Sequence, residues 1–168
     1  MKIKFFYFIL LIPILISAQD VNKTIIEERS GKPMIVGLFD RVAFADTNFS
    51  WWYEPEYNNY ELNKSALDSI KEKLSDAKIK IVFGTWCSDS RREVPRFMKM
   101  LDTLNFNPDS LKMICVDRSK KAEGTEVGNL NILFVPTFIL YKNDEELGRI
   151  IEEPKATLEE DLKTILYK

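Results

Sequence analysis

The chain has 168 residues, 45% hydrophobic and 30% charged, the balance of a globular protein rather than a disordered one. Its formal net charge is −2 and it contains no histidine, which excludes His-ligated zinc and any Cys–His or Ser–His catalytic pair. No basic stripe is present to meet phosphates, so nucleic acid is not an expected partner.

Met1 to Ala18 reads as a secretory signal. Lys2 and Lys4 open it, Phe5 to Ile16 form its apolar run, and Ile16-Ser17-Ala18 offers a small-residue cleavage site before Gln19. The alternative is a retained membrane anchor. About twelve apolar residues interrupted by Pro13 are too short for a hydrocarbon core of roughly 30 Å, which argues for cleavage and against stable membrane insertion afterwards. Export to the periplasm or the extracellular space is therefore expected, where disulfides persist. The remaining length of about 150 residues suits one core. We divide it into an N-terminal extension packed on that core, residues 19–63, and a main domain, residues 64–168.

Residues 19–30 are polar. Gly31-Lys32-Pro33 punctuates a short apolar run, Met34 to Leu38, which suits a strand. From Phe39 to Tyr60 aromatics crowd the chain without helical or strand period, and an irregular segment is expected. These aromatics either cover one face of the core, or Trp51, Trp52 and Tyr53 line a substrate groove. Asn63 caps a helix with Leu67, Ile70 and Leu74 on one face. Ile79 to Phe83 is a near-continuous apolar strand, as expected for one covered on both sides. A helix beginning at Arg91 follows, aligning Val94, Phe97, Met98, Leu101 and Leu104, with a kink expected at Pro95. Leu111 to Val116 is another buried strand, and residues 122–129 suggest a short helix. Thr137 to Tyr141 pairs with Leu147 to Ile151 through a five-residue loop, and Pro154 opens the last helix. The alternating part predicts an α/β fold, a mixed sheet with parallel crossovers and an antiparallel edge.

Chemistry concentrates at Thr85-Trp86-Cys87-Ser88-Asp89-Ser90, between the central strand and its helix. A cysteine at such a corner meets the N–H groups and the positive dipole end of the helix, which favour the thiolate. Arg91 and Arg92 add two positive charges and Asp89 one negative charge, a balance that also favours it. The competing reading of Cys87 is a buried structural cysteine; its polar neighbours argue against that. Trp86 would present a flat apolar contact. Ser90, one helical turn on, can donate to the thiolate but cannot attack a mixed disulfide. Cys115 lies in the apolar run Met113-Ile114-Cys115-Val116 and reads as core.

Trp86-Cys87-x-x-Ser90, Pro95 and Val135-Pro136-Thr137 resemble the active-site loop, helix proline and cis-proline of the thioredoxin superfamily, over residues 64–168. The wider wording, Gly84-Thr85-Trp86-Cys87 and Arg92-Glu93-Val94-Pro95-Arg96-Phe97, is similar to exported thioredoxin-like proteins of Bacteroidetes-type bacteria. The resemblance implies a thioredoxin-like fold, a central mixed sheet flanked by helices. It further implies a cis Pro136 facing Cys87, and a Val135 backbone that holds an extended substrate peptide. The sequence departs from the pattern at Ser90, where the second cysteine would stand, and at Ile81, where a buried acid often stands.

Two functions follow. One is thiol–disulfide exchange through a single thiol, with no cofactor or metal. Its clients would be disulfide-containing or glutathionylated proteins, and an external thiol or reductase would complete the cycle. The other is a redox-inactive binding module that uses the aromatic segment to hold a partner.

Overall fold

The computed structural model describes residues 20–168; the expected secretory signal, residues 1–18, lies outside them. The run from Met34 to Leu38 is divided at Val36 between two sheets. β1 (Thr24–Ile26) and β2 (Pro33–Ile35) form an antiparallel ribbon, and β3 (Gly37–Phe39) joins the main sheet. Gly37 sits at the division with φ +110°, a conformation that costs glycine nothing and other residues a good deal.

Residues 47–59, where no periodicity is visible, form α1 (Thr47–Asn59). Asp46 caps it, its carboxylate accepting the Asn48 N–H at 2.8 Å. Phe49 and Trp52 are buried, while Tyr53 and Tyr57 pack part-buried on neighbouring faces, so aromatics spread around the helix and erase its amphipathic signal. The tertiary surroundings, more than propensity, hold it in place. Burial of Phe49 and Trp52 contributes about 2–3 kcal/mol each.

α2 (Lys64–Ser75) follows its Asn63 cap and leads into the central strand β4 (Lys78–Phe83), buried from Ile81 to Phe83. α3 (Ser88–Thr103) starts three residues earlier than expected, with Cys87 as its N-cap, and runs through Pro95, which leaves the Arg91 carbonyl without its usual donor. β5 (Leu111–Cys115) lies parallel to β4. The expected helix over residues 122–129 reduces to a 3-10 turn at Glu126–Asn129, after Gly124 takes φ +75°. β6 (Thr137–Lys142) and β7 (Glu145–Ile151) are joined more tightly than expected, by Asn143 and Asp144, both at positive φ as a primed hairpin turn requires. α4 (Leu158–Leu166) begins beyond Pro154, where the Thr157 side chain caps the Glu160 N–H.

The sheet order is β3-β5-β4-β6-β7, with only β4 and β5 parallel, so the fold is the expected mixed sheet flanked by helices. Ile79, Ile81 and Phe83 face a core that residues of all four helices complete. On the opposite face Val82, Ile114 and Val116 meet Val127 of the 3-10 turn and Val135. Among the described residues no helix is long and apolar enough to cross a membrane.

α1 is fixed to α3 by polar contacts as well as apolar ones. Arg96 pairs with Glu56 at 2.7 Å, and Asp102 accepts from the Tyr57 hydroxyl at 2.7 Å. Lys99 Nζ donates to the carbonyls of Asn58 and Tyr60, satisfying the C-terminal end of α1.

Candidate functional site

β4 ends at Phe83 and the chain turns through Gly84. The turn closes by a bond from the Cys87 N–H to the Gly84 carbonyl at 2.9 Å. A Cβ on Gly84 would stand 2.6 Å from the Trp86 ring, so only glycine lets the indole fold back here. Trp86 Nε1 donates to the Val116 carbonyl at 2.8 Å, which fixes the ring on the β5 side of the corner.

Cys87 is half-buried, and its Sγ donates to the Val135 carbonyl at 3.2 Å. The Val135–Pro136 peptide is cis, and the Thr137 hydroxyl holds the loop by donating to the Phe134 carbonyl at 2.7 Å. The Cys87 carbonyl accepts the first intrahelical N–H, from Arg91. The sulfur thus sits at the positive end of α3, beside the cis-proline loop.

Ser90 is fully buried, and its oxygen accepts the Gly84 N–H at 3.2 Å. No hydrogen bond joins it to Cys87 among the described residues. Its place is behind the corner, holding the end of β4. Arg91 donates from Nε to the Thr85 carbonyl at 2.7 Å and lies over the Trp51 ring at 5.4 Å. Burial lowers its pKa, and the nearby Cys87 sulfur opposes that shift. Arg92 points elsewhere, bound to Asp89 at 3.1 Å, Glu93 at 2.6 Å and Glu153 at 3.3 Å. The charges of Asp89 and Arg92 therefore largely cancel.

A second cation close enough to interact with the sulfur is Arg118, which no local motif marks. Its guanidinium lies over the Trp86 ring at 4.8 Å, held by the buried Glu27 of the hairpin after β1. This bond keeps the Glu27 carboxyl at about pKa 2 and raises that of Arg118, which also feels the Cys87 sulfur. Topology carried the one available signal. Arg118 follows β5, and parallel neighbouring strands end at the same edge of a sheet, so it emerges beside the corner that ends β4.

Cys115 is fully buried, paired in the sheet with Phe83 and Gly37, and burial pushes its thiol well above the ordinary range. Ile81 is fully buried and offers no carboxylate under the corner. Trp51 and Trp52, together with Pro55, Ser88 and Arg91, line a depression of 390 Å³ beside the start of α3. Tyr53 does not; its ring stacks on Phe44 at 3.9 Å.

A half-buried cysteine capping the helix after a central strand, next to a cis-proline, on a mixed α/β sheet, defines a thioredoxin-like protein. No protein-family profile matches the chain. A Dictyostelium discoideum protein bearing the name thioredoxin-5 is 30% identical over 95 residues, which span 55% of this chain and 87% of that one. The chain belongs to the thioredoxin family. Its general class of function is thiol–disulfide redox chemistry, and its general class of activity is that of an oxidoreductase. Two solved structures share the fold at 13% identity. A protein of unknown function from Pseudomonas aeruginosa has a TM-score of 0.55, with 76% of this chain and 89% of that one covered. An HIV epitope-scaffold has a TM-score of 0.51, with 76% and 82% covered.

Proposed function

We propose that this is an exported protein that performs thiol–disulfide exchange through Cys87 alone. The Cys87 thiolate attacks one sulfur of a client disulfide, or of a glutathionylated client, forming a mixed disulfide and releasing the other sulfur as a thiolate. An external thiolate then displaces the client from Cys87, and a second one displaces Cys87. The client leaves reduced, and the two external thiols leave joined as a disulfide. A thiol of the client itself can instead attack the mixed disulfide, which isomerises the client without net oxidation. The observation that carries this reading is the placement of Cys87 Sγ at the first turn of α3, 3.2 Å from the Val135 carbonyl.

Arg91 and Arg118 bring positive charge near the sulfur, with the helix N-terminus behind them, to receive an incoming disulfide. Trp86 offers the client an apolar face. The Val135 N–H has no partner among the described residues and suits an extended peptide laid beside Pro136. Ser90 contributes by lacking a sulfur, so the mixed disulfide waits for an outside thiol. The leader and the Bacteroidetes-type wording around the motif support a site of action in the periplasm or outside the cell.

A redox-inactive binding module is the second reading, favoured by the 60% exposure of Trp51. The test is exchange with a mixed-disulfide reporter. Cys87→Ser is expected to abolish it and Cys115→Ser to leave it nearly unchanged. Equal loss in both variants, or none in Cys87→Ser, overturns the assignment.

A further inference from the structure

Among the described residues Arg91 is a half-buried cation with no carboxylate on its guanidinium. Of the arginines on the first turns of α3, Arg92 is bound to three carboxylates and Arg96 to Glu56 and Glu93. Arg91 uses only Nε, toward the Thr85 carbonyl; its two terminal nitrogens have no hydrogen-bond partner among the described residues. The acids nearby are already engaged, Glu56 by Arg96 and Glu27 by Arg118. A guanidinium edge left open in a partly desolvated place is suited to a carboxylate in bidentate geometry.

Trp51 stands against this cation. It is 60% exposed although its Nε1 is anchored to the Asn48 carbonyl at 3.0 Å, so the ring is a fixed apolar platform facing solvent. It lines the depression of 390 Å³ together with Pro55, Glu56 and Ser88. It also lines a second of 340 Å³, with Pro33 and Lys32. Arg91 lines both, and the Lys32 ammonium also has no partner among the described residues. The two depressions share Trp51 and Arg91; the first is also lined by Glu56, already paired with Arg96, and by Ser88, the residue after Cys87.

We propose that the groove lined by Trp51 and Arg91 selects the clients of Cys87, taking an extended acidic segment that flanks the client cysteine. A Glu or Asp carboxylate sits on the Arg91 guanidinium with Lys32 behind it, and a neighbouring apolar side chain lies on Trp51 and Pro55. The role as client selector rests on the exchange function proposed above; the groove's preference for acidic peptides does not need exchange to be measured.

The experiment uses the leader-free chain with Cys87→Ser and six-residue peptides carrying serine for the client cysteine, with Glu, Gln or Lys at the flanking positions. Calorimetric titration is expected to show the Glu peptide binding about tenfold tighter than the Lys peptide at low salt, the gap narrowing as salt rises. Arg91→Gln is expected to remove the preference. Trp51→Ala, a change at an exposed position that leaves the fold intact, is expected to weaken all three peptides. Equal or absent binding of the three peptides overturns the proposal, as does a preference that survives Arg91→Gln. Acidic preference in a protein whose Cys87 fails to exchange supports the groove and removes only the redox reading.

Discussion

Ser90→Ala separates the role that the sequence suggests for one hydroxyl from the role that the fold gives it. Beside Cys87 in the motif, Ser90 suggests a donor to the thiolate; in the fold its oxygen is the acceptor for the buried Gly84 N–H. Alanine fits the space and leaves that N–H without a partner, which costs about 1–3 kcal/mol. For a domain of about 150 residues each kcal/mol moves Tm by roughly 2–4 °C, so a fall of about 2–12 °C is expected. Urea unfolding reads the stability directly, with the m-value unchanged. The rate of Cys87 with a small neutral disulfide is expected to stay within about twofold, because no bond to the sulfur is lost. A variant as stable as the parent but about tenfold slower in exchange refutes the reasoning and returns Ser90 to the thiolate.

Gly84→Ala drives a methyl into the Trp86 ring, where a Cβ stands 2.6 Å from the nearest ring atom. A loss of about 1–3 kcal/mol in urea unfolding is expected, with a changed near-ultraviolet signal from the displaced indole. Glu27→Gln tests the latch over Trp86 through pH. The carboxyl falls from 4.5 in the unfolded chain to about 2 in the fold, so its stabilisation is complete above pH 4.5 and disappears as pH falls through 2. The stability difference between parent and Glu27→Gln is therefore expected to be widest above pH 4.5 and to close toward pH 2; a gap constant across that range excludes the ionised latch.

The strand, the corner and the following helix were legible because their signals are local: an apolar run, then polar residues, then apolar positions at helical spacing. Val135-Pro136-Thr137 was legible only through the resemblance, since no residue pattern by itself sets a peptide bond cis. α1 was hidden by its own composition. Aromatics on several of its faces gave it no period, and Pro55 suggested an interruption. Arg118 and Glu27 were unreadable for another reason, that 91 residues separate partners which only the sheet topology brings together. Arg92 stands near Cys87 in sequence, but its charge is claimed by Asp89, Glu93 and Glu153, the last of which only the fold brings to it.

The short strand β3 has a consequence out of proportion to its three residues. By lying antiparallel along β5 it occupies a row of N–H and C=O groups that would otherwise face water. A fragment trimmed to residues 64–168 would lose this cover and expose the flank of the strand that carries Cys115. Such a bare flank is a template for strands of other molecules, and fragments of this kind clump. A soluble fragment of the protein is accordingly expected to begin ahead of Gly37, well upstream of the motif that gives the family its chemistry.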